Sequence, residues 1–278
     1  MKKFILESIG LVDIGAWVLT VLFFCGSALL FDGDVQGAFL GAAGIIVIMF
    51  MVGTSIEVII ETMKNVRGIG TLTGFLTNGP EALVVIVGLI NGDILFASST
   101  PLGSNYMNPL LLLLAAVLMR HVKSVLSVSP VYFFSTVIIT ASLAGVFYLL
   151  DPGHYALWAG VALVVSMALF FKRPTEQEPD EEEALAVHKL WFVPSLLILT
   201  AAGYFLDPVV NVASAASHAP KGLIGFLVLA TLTSWPEFKS ALTLLRRDMT
   251  VAAVLNIVVS NITNLWLAVA GVGVYLLF

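Results

Sequence analysis

Apolar runs long enough to cross a bilayer recur from end to end of this chain. They lie near 15–31, 37–63, 69–92, 95–119, 127–150, 154–171, 190–206, 220–247 and 249–277, and nearly all the charge sits between them. A membrane-spanning helix needs roughly 20 apolar residues, whereas a barrel strand would alternate over roughly 10. The pattern predicts an all-α integral membrane protein of about nine transmembrane helices (8-10). Only 11% of the 278 residues are charged and 59% are hydrophobic, too little polar surface for a soluble domain of this length. The single cysteine, Cys25, excludes an intrachain disulfide and is expected as a packed helix residue. Residues 1–14 are expected to form an interfacial helix. No small-residue cleavage site follows Lys2, Lys3 and the first apolar run, which therefore reads as a retained helix.

The Lys/Arg bias orients the chain. With the N-terminus cytoplasmic, eleven of the thirteen Lys and Arg residues fall inside, while the outside loops hold Asp32, Asp34, Asp93, Asp151 and Asp207. Lys221 falls outside, Lys239 lies within a span, and the C-terminus is expected outside, in the cell (inner) membrane. The most polar stretch, RPTEQEPDEEEALAVHK at 173–189, reads as a solvated acidic linker, with a metal site at Glu181, Glu182 and Glu183 as the sharper alternative. Four segments follow: 1–36, an N-terminal helix and extra span; 37–171, a first half; 172–189, the cytoplasmic linker; and 190–278, a second half.

Two polar motifs interrupt the apolar spans, and they match. TNGPEALVVIVGLINGDILFASSTPLGSNYMN at 77–108 aligns with TSWPEFKSALTLLRRDMTVAAVLNIVVSNITN at 233–264. Glu81 and Glu237, Asn105 and Asn261, and Asn108 and Asn264 are each 156 positions apart. Hydrophobic composition cannot generate identities at fixed polar positions. The first copy (about 69–119) begins in the third span and the second (about 220–277) in the eighth. The odd difference makes the copies enter the membrane from opposite sides, an inverted-topology repeat of the kind that places sites at the midplane between Pro-broken helices.

The chemistry of the repeats points to a hard cation. Pro80 and Pro236 each remove a backbone donor and are expected to free a carbonyl inside the membrane, which is costly unless the break lines a cavity or binds an ion. Each proline precedes a glutamate, Glu81 or Glu237, and an intramembrane acid is a functional candidate by default. Thr77, Asn78, Thr233 and Ser234 add oxygens at the breaks, and Ser104, Asn105, Asn108, Ser260, Asn261 and Asn264 follow on the next helix of each repeat. Carboxylate, hydroxyl, amide and carbonyl oxygens suit Ca²⁺. No Cys/His set suits zinc or copper, and the four histidines fall at loop or helix-end positions.

At these residues the chain resembles the calcium/cation antiporter superfamily, which includes sodium/calcium and proton/calcium exchangers. That family's alpha repeats carry Gly-Thr-Ser-x-Pro-Glu, then Gly-Asn-x-x-Gly-Ser-Asn-x-x-Asn or a final Asp. Here the first reads Leu76-Thr77-Asn78-Gly79-Pro80-Glu81 with Gly103-Ser104-Asn105-Tyr106-Met107-Asn108, and the second Leu232-Thr233-Ser234-Trp235-Pro236-Glu237 with Asn256 and Ser260-Asn261-Ile262-Thr263-Asn264. The resemblance implies Glu81 and Glu237 as central ligands, Asn108 and Asn264 completing the site, and Thr77, Ser104, Thr233 and Ser260 at flanking ion positions; Asn105, Asn261, Asn78, Ser234 and Lys239 are secondary candidates. Asn78 stands where the family has serine and Thr100 where it has asparagine; asparagine at both 108 and 264 is more like the proton-coupled branch. Against the family's usual ten spans, the chain has an extra N-terminal span, and its second half lacks partners for 127–150 and 154–171. The implied activity is exchange of Ca²⁺ or a similar hard cation against H⁺ or Na⁺ by alternating access.

Other readings stand beside this one. The same site would serve a channel or uniporter, and paired Pro-Glu kinks would also suit a non-transporting scaffold. GIGTLTG at 68–74 has neither the preceding strand nor the lysine of a phosphate loop and reads as helix-packing glycine. Glu57 and Glu61 are expected to pair with Lys64 or Lys239, or to sit exposed at the interface, with ion ligation as the sharper alternative. Lys239 points about 200° from Glu237 on a regular helix, so a structural pairing competes with a tethered cation reaching into the site. No nucleophile–His–Asp set or H-E-x-x-H motif supports an enzyme, and no cofactor is expected. The partners expected are inorganic cations and the lipid bilayer, without nucleic acid; a homo-oligomer is left open.

Overall fold

A computed structural model describes residues 2–90, 92, 94–176, 184–219 and 230–277. Its helices are α1 (Lys2–Ser8), α2 (Leu11–Leu30), α3 (Val35–Met63), α4 (Ile69–Leu76), α5 (Gly79–Ile90), α6 (Ile94–Leu118), α7 (Val122–Ser127), α8 (Pro130–Phe147), α9 (Tyr155–Phe171), α10 (Phe192–Ser217), α11 (Ala230–Thr233), α12 (Trp235–Arg246) and α13 (Thr250–Leu277). Among the described residues there is no strand, and eight candidate spans are long and apolar enough to cross a membrane. This is the all-α membrane architecture the apolar runs predict. The first part of the remaining span, 220–247, lies outside the described residues, as do Asp93, Glu181 to Glu183 and Lys221.

The chain forms two compact units. The first comprises Met1–Thr62 and Ala184–Pro236, the second Met63–Glu183 and Glu237–Phe278. In the first, α3 carries small residues against α10. A Cβ on Gly41 would lie 2.6 Å from the Ala213 Cα, and one on Gly44 would lie 2.9 Å from Val209 Cγ1. Close backbone approach of this kind is the usual glue of helices in lipid, where burying apolar surface gains little. Glu57 and Glu61 are both buried and both engaged. Interfacial exposure is thus the wrong reading for them: the Glu61 carboxylate accepts from the Ala186 backbone N–H at 2.7 Å, so the chain after the acidic linker covers it.

In the second unit α13 is the central helix and packs on α4, α5, α6, α8 and α9. Its residues Ala252 to Ile262 are buried without interruption. That stretch includes Asn256, Ser260 and Asn261, polar side chains that lipid would not accept and that the surrounding helices enclose. GIGTLTG opens α4 and packs it onto α13, as the glycine reading requires. A Cβ on Gly70 would collide with the Ala252 backbone, and one on Gly74 would lie 2.6 Å from the Asn256 carbonyl oxygen. Phe75, Phe170 and Trp266 close the same interface, with ring centroids 5.2 to 6.0 Å apart. The histidines fall where expected: His121 and His154 at helix starts, His188 before a short turn, and His218 at the end of α10.

Both repeats carry a helix break, but the prolines are not inside it. α4 ends at Leu76 and α5 starts at Gly79; α11 ends at Thr233 and α12 starts at Trp235. Pro80 and Pro236 are the second residues of the new helices. There the missing N–H is one of the helix's unpaired donors in any case, so the proline starts a helix rather than kinking one.

Candidate cation site

The start of a helix is where a buried carboxylate is best tolerated, because the unpaired N–H groups and the macrodipole favour negative charge. Glu81 is the third residue of α5 and Glu237 the third of α12, each in its helix's first turn and each fully buried. The two carboxylates lie near enough for each to act on the other's charge, with Ser104 beside Glu81, and Thr77 and Ser260 beside Glu237. Ser260 donates to Glu237 Oε1 at 3.2 Å or to Asn78 Oδ1 at 3.0 Å; its one proton serves one of them at a time. Asn78 Nδ2 in turn donates to the carbonyls of Gly74 and Ser260, both at 3.1 Å. Both ends of its amide are thereby used, and Asn78 ties the first break to α13.

The asparagines pair across the repeats. Asn108 Nδ2 donates to Asn261 Oδ1 at 3.1 Å, and Asn264 Nδ2 donates to Asn105 Oδ1 at 3.2 Å. Adding 156 to one pair gives the other with the partners exchanged, so the internal repeat is present in the hydrogen bonds themselves. Asn108 Nδ2 also donates to Ser260 Oγ at 3.1 Å.

Donors and acceptors are therefore treated differently. The amide N–H groups of Asn108, Asn261 and Asn264 are spent between helices. Thr77 Oγ1, both Glu81 oxygens, Asn108 Oδ1, Glu237 Oε2 and Asn264 Oδ1 are buried with no hydrogen-bond partner among the described residues. These six oxygens, all on candidate residues of the second unit, fall within the roughly six to eight that Ca²⁺ takes. Buried acceptors without donors are costly in a low-dielectric interior unless something positive meets them. Among the described residues no group of three or more His, Cys, Asp or Glu side chains could hold a metal ion, so the negative charge here is limited to the two glutamates.

Of the residues expected at the site, the second unit holds Thr77, Asn78, Glu81, Ser104, Asn105, Asn108, Glu237, Ser260, Asn261 and Asn264. Ser104 bonds back to the Thr100 carbonyl at 3.1 Å. Thr233 and Ser234 belong to the first unit; Ser234 is fully buried, and Thr233 is half-buried with a partner. Lys239 is buried on α12 and also has a partner.

Two contributors escaped the sequence reading. Ser240 donates to Asn256 Oδ1 at 3.1 Å, and Asn256 Nδ2 reaches the Glu237 carbonyl at 3.4 Å, which fixes α12 against α13. Thr140, on α8, accepts from Asn261 Nδ2 at 3.4 Å. The signal for Thr140 was a pair of threonines, Thr136 and Thr140, four apart on one face of a membrane span and both fully buried.

No curated protein and no solved structure matches the chain. One family model does, and its members are transporters rather than enzymes. Residues 188–277, about a third of the chain and including the second Pro-Glu break and all of α13, match the sodium/calcium exchanger protein family, consistent with the calcium/cation antiporter superfamily to which the repeat motifs point.

Proposed function

We propose that this protein is a secondary cation antiporter that binds Ca²⁺, or a similar hard cation, between Glu81 and Glu237 and exchanges it for H⁺ or Na⁺ by alternating access. The observation that carries the reading is the segregation of donors from acceptors. The amide N–H groups of Asn78, Asn108, Asn261 and Asn264 donate within the helix-to-helix framework, with Asn105 Nδ2 the exception, while six carboxylate, amide and hydroxyl oxygens of the second unit's candidate residues are left buried and unmatched among the described residues. Two carboxylates balance one divalent charge, and neutral oxygens complete its shell. When the metal leaves, the same two carboxyl groups must be neutralised by another cation, because two bare charges facing each other in a low dielectric repel strongly. Protons or Na⁺ supply that charge, and the supply couples the two fluxes. Asparagine at both 108 and 264 leaves no third carboxylate, which favours the proton as counter-ion.

The test is ion-resolved flux in proteoliposomes with Na⁺ and pH gradients imposed separately. Ca²⁺ uptake driven by a pH gradient alone is expected. Uptake driven only by Na⁺ would reassign the counter-ion, and uptake needing no counter-gradient would make the protein a channel or uniporter. The absence of Ca²⁺ movement under every gradient would overturn the reading.

A further inference from the structure

The amide of Asn108 can meet a cation only if its oxygen, not its nitrogen, turns to the site. Nothing in Asn108 itself decides this. The decision is made by a chain of hydrogen bonds that ends outside both repeats. Thr140 on α8 donates its hydroxyl proton to the Val137 carbonyl at 3.2 Å. With its only proton committed, its oxygen must accept, and it accepts from Asn261 Nδ2 at 3.4 Å. The other Asn261 amide proton goes to the Asn105 carbonyl at 3.2 Å. Asn261 Oδ1 is thus turned to Asn108, whose Nδ2 donates to it and to Ser260 Oγ, both at 3.1 Å. Both amide protons of Asn108 are used, and its Oδ1 is left buried and unpartnered among the described residues. Reversing any one amide would set two carbonyls or two NH₂ groups against each other, and each mismatch strands a buried polar group.

The other repeat lacks this anchor. Asn264 Nδ2 donates to Asn105 Oδ1, but Asn105 Nδ2 has no hydrogen-bond partner among the described residues. The two asparagine oxygens are related by the repeat and yet are not held alike.

We infer that Thr140 is a positioning residue for the cation site, which through Asn261 fixes the Asn108 oxygen toward the ion and makes the first repeat's amide the rigid ligand. This rests on the function proposed above. It assigns Asn261 to orientation rather than to direct ligation.

The experiment measures equilibrium Ca²⁺ binding to purified protein, together with transport KM, maximal rate and thermal melting. Thr140→Val removes the hydroxyl at nearly constant volume. It is expected to weaken Ca²⁺ binding and raise KM by roughly three- to tenfold, as loss of one modest buried hydrogen bond would, with maximal rate little changed. Thr140→Ser keeps the hydroxyl and should restore wild-type affinity. In an Asn108→Asp background both terminal oxygens are acceptors, so there is no amide polarity to set and Thr140→Val should leave affinity unmoved. A merely structural threonine would lower melting in all backgrounds without this selectivity. If Thr140→Val fails to fold, Thr140→Ala carries the same comparison. Unchanged affinity in a folded Thr140→Val or Thr140→Ala protein, or the same loss in the Asn108→Asp background, overturns the role. Failure of the wild-type protein to bind Ca²⁺ overturns the transport reading instead, and this role with it.

Discussion

Each glutamate sits in the first turn of its helix, and in the proposed site neither can substitute for the other. Glu81→Gln and Glu237→Gln keep shape and burial but halve the charge facing a divalent ion. Each is expected to abolish Ca²⁺ flux, and neither should lower melting by much, because a neutral amide at these buried positions costs less to desolvate than a carboxylate. Normal flux in either folded variant would remove that residue from the site. The pH dependence has a definite sign. On the proposed function protons and Ca²⁺ compete for the same two carboxyl groups, so apparent Ca²⁺ affinity should fall as pH is lowered, and a Glu81→Gln protein, with only Glu237 left to titrate, should show a shallower dependence in whatever binding remains. Lys239 is buried and engaged, and on a regular helix it points about 200° from Glu237, so a structural role is the one we propose for it. Lys239→Met should reduce yield and thermal stability and leave Ca²⁺ affinity almost unmoved. Higher affinity with unchanged melting would instead make it a tethered cation.

Whole elements are fixed by contacts that their own sequences do not contain. α4 has eight residues and a glycine, Gly68, at its N-cap with φ +80°, so no side chain of its own caps it. Glu176 does this from across the chain. Its carboxylate accepts from the N–H groups of Gly70 at 2.8 Å and Thr71 at 2.9 Å, and from the Thr71 hydroxyl at 2.9 Å. It thereby satisfies two of the helix's unpaired donors and places negative charge at the positive end of the dipole. Glu176→Ala should cost about 1 kcal/mol, the usual price of a lost cap, and a denaturation series on the purified protein measures it. The opposite face of α4 has no slack. Gly70→Val would drive a branched side chain into the Ala252 backbone, so α4 must part from α13. Loss of folding is expected there, whereas Gly103→Ala, at a position with open space around an added Cβ, should be tolerated.

At the scale of the molecule, the two repeats contribute to one polar cluster within the second unit, while the second break itself straddles the unit boundary at Pro236. α5 and α6 bring the first repeat's candidate residues Glu81, Ser104, Asn105 and Asn108, and α12 and α13 bring the second's Glu237, Ser260, Asn261 and Asn264. α8 lies outside the repeats, yet Thr140 reaches the centre through Asn261. The asparagine pairs obey the 156-residue repeat and the anchor at Thr140 does not. The site is therefore symmetric in its pairing and asymmetric in what holds it.

The sequence alone determined the class of the molecule and the identity of its acids. Apolar runs without charge have no other stable solution than helices in lipid, and two Pro-Glu motifs at one offset are visible without coordinates. It also marked where each helix would break, to within two residues. It misassigned the cause, because whether a proline kinks a helix or starts one depends on where the backbone turns. The direction of each side-chain amide was beyond the sequence altogether. Which end of an asparagine amide meets a cation is set by donors and acceptors on other helices, some more than 100 positions away, and a hydroxyl such as that of Thr140 takes its role from the neighbour that uses it. Only the packing of α4, α6, α8 and α13 brought those partners within hydrogen-bonding distance, and with that packing the direction of each amide followed.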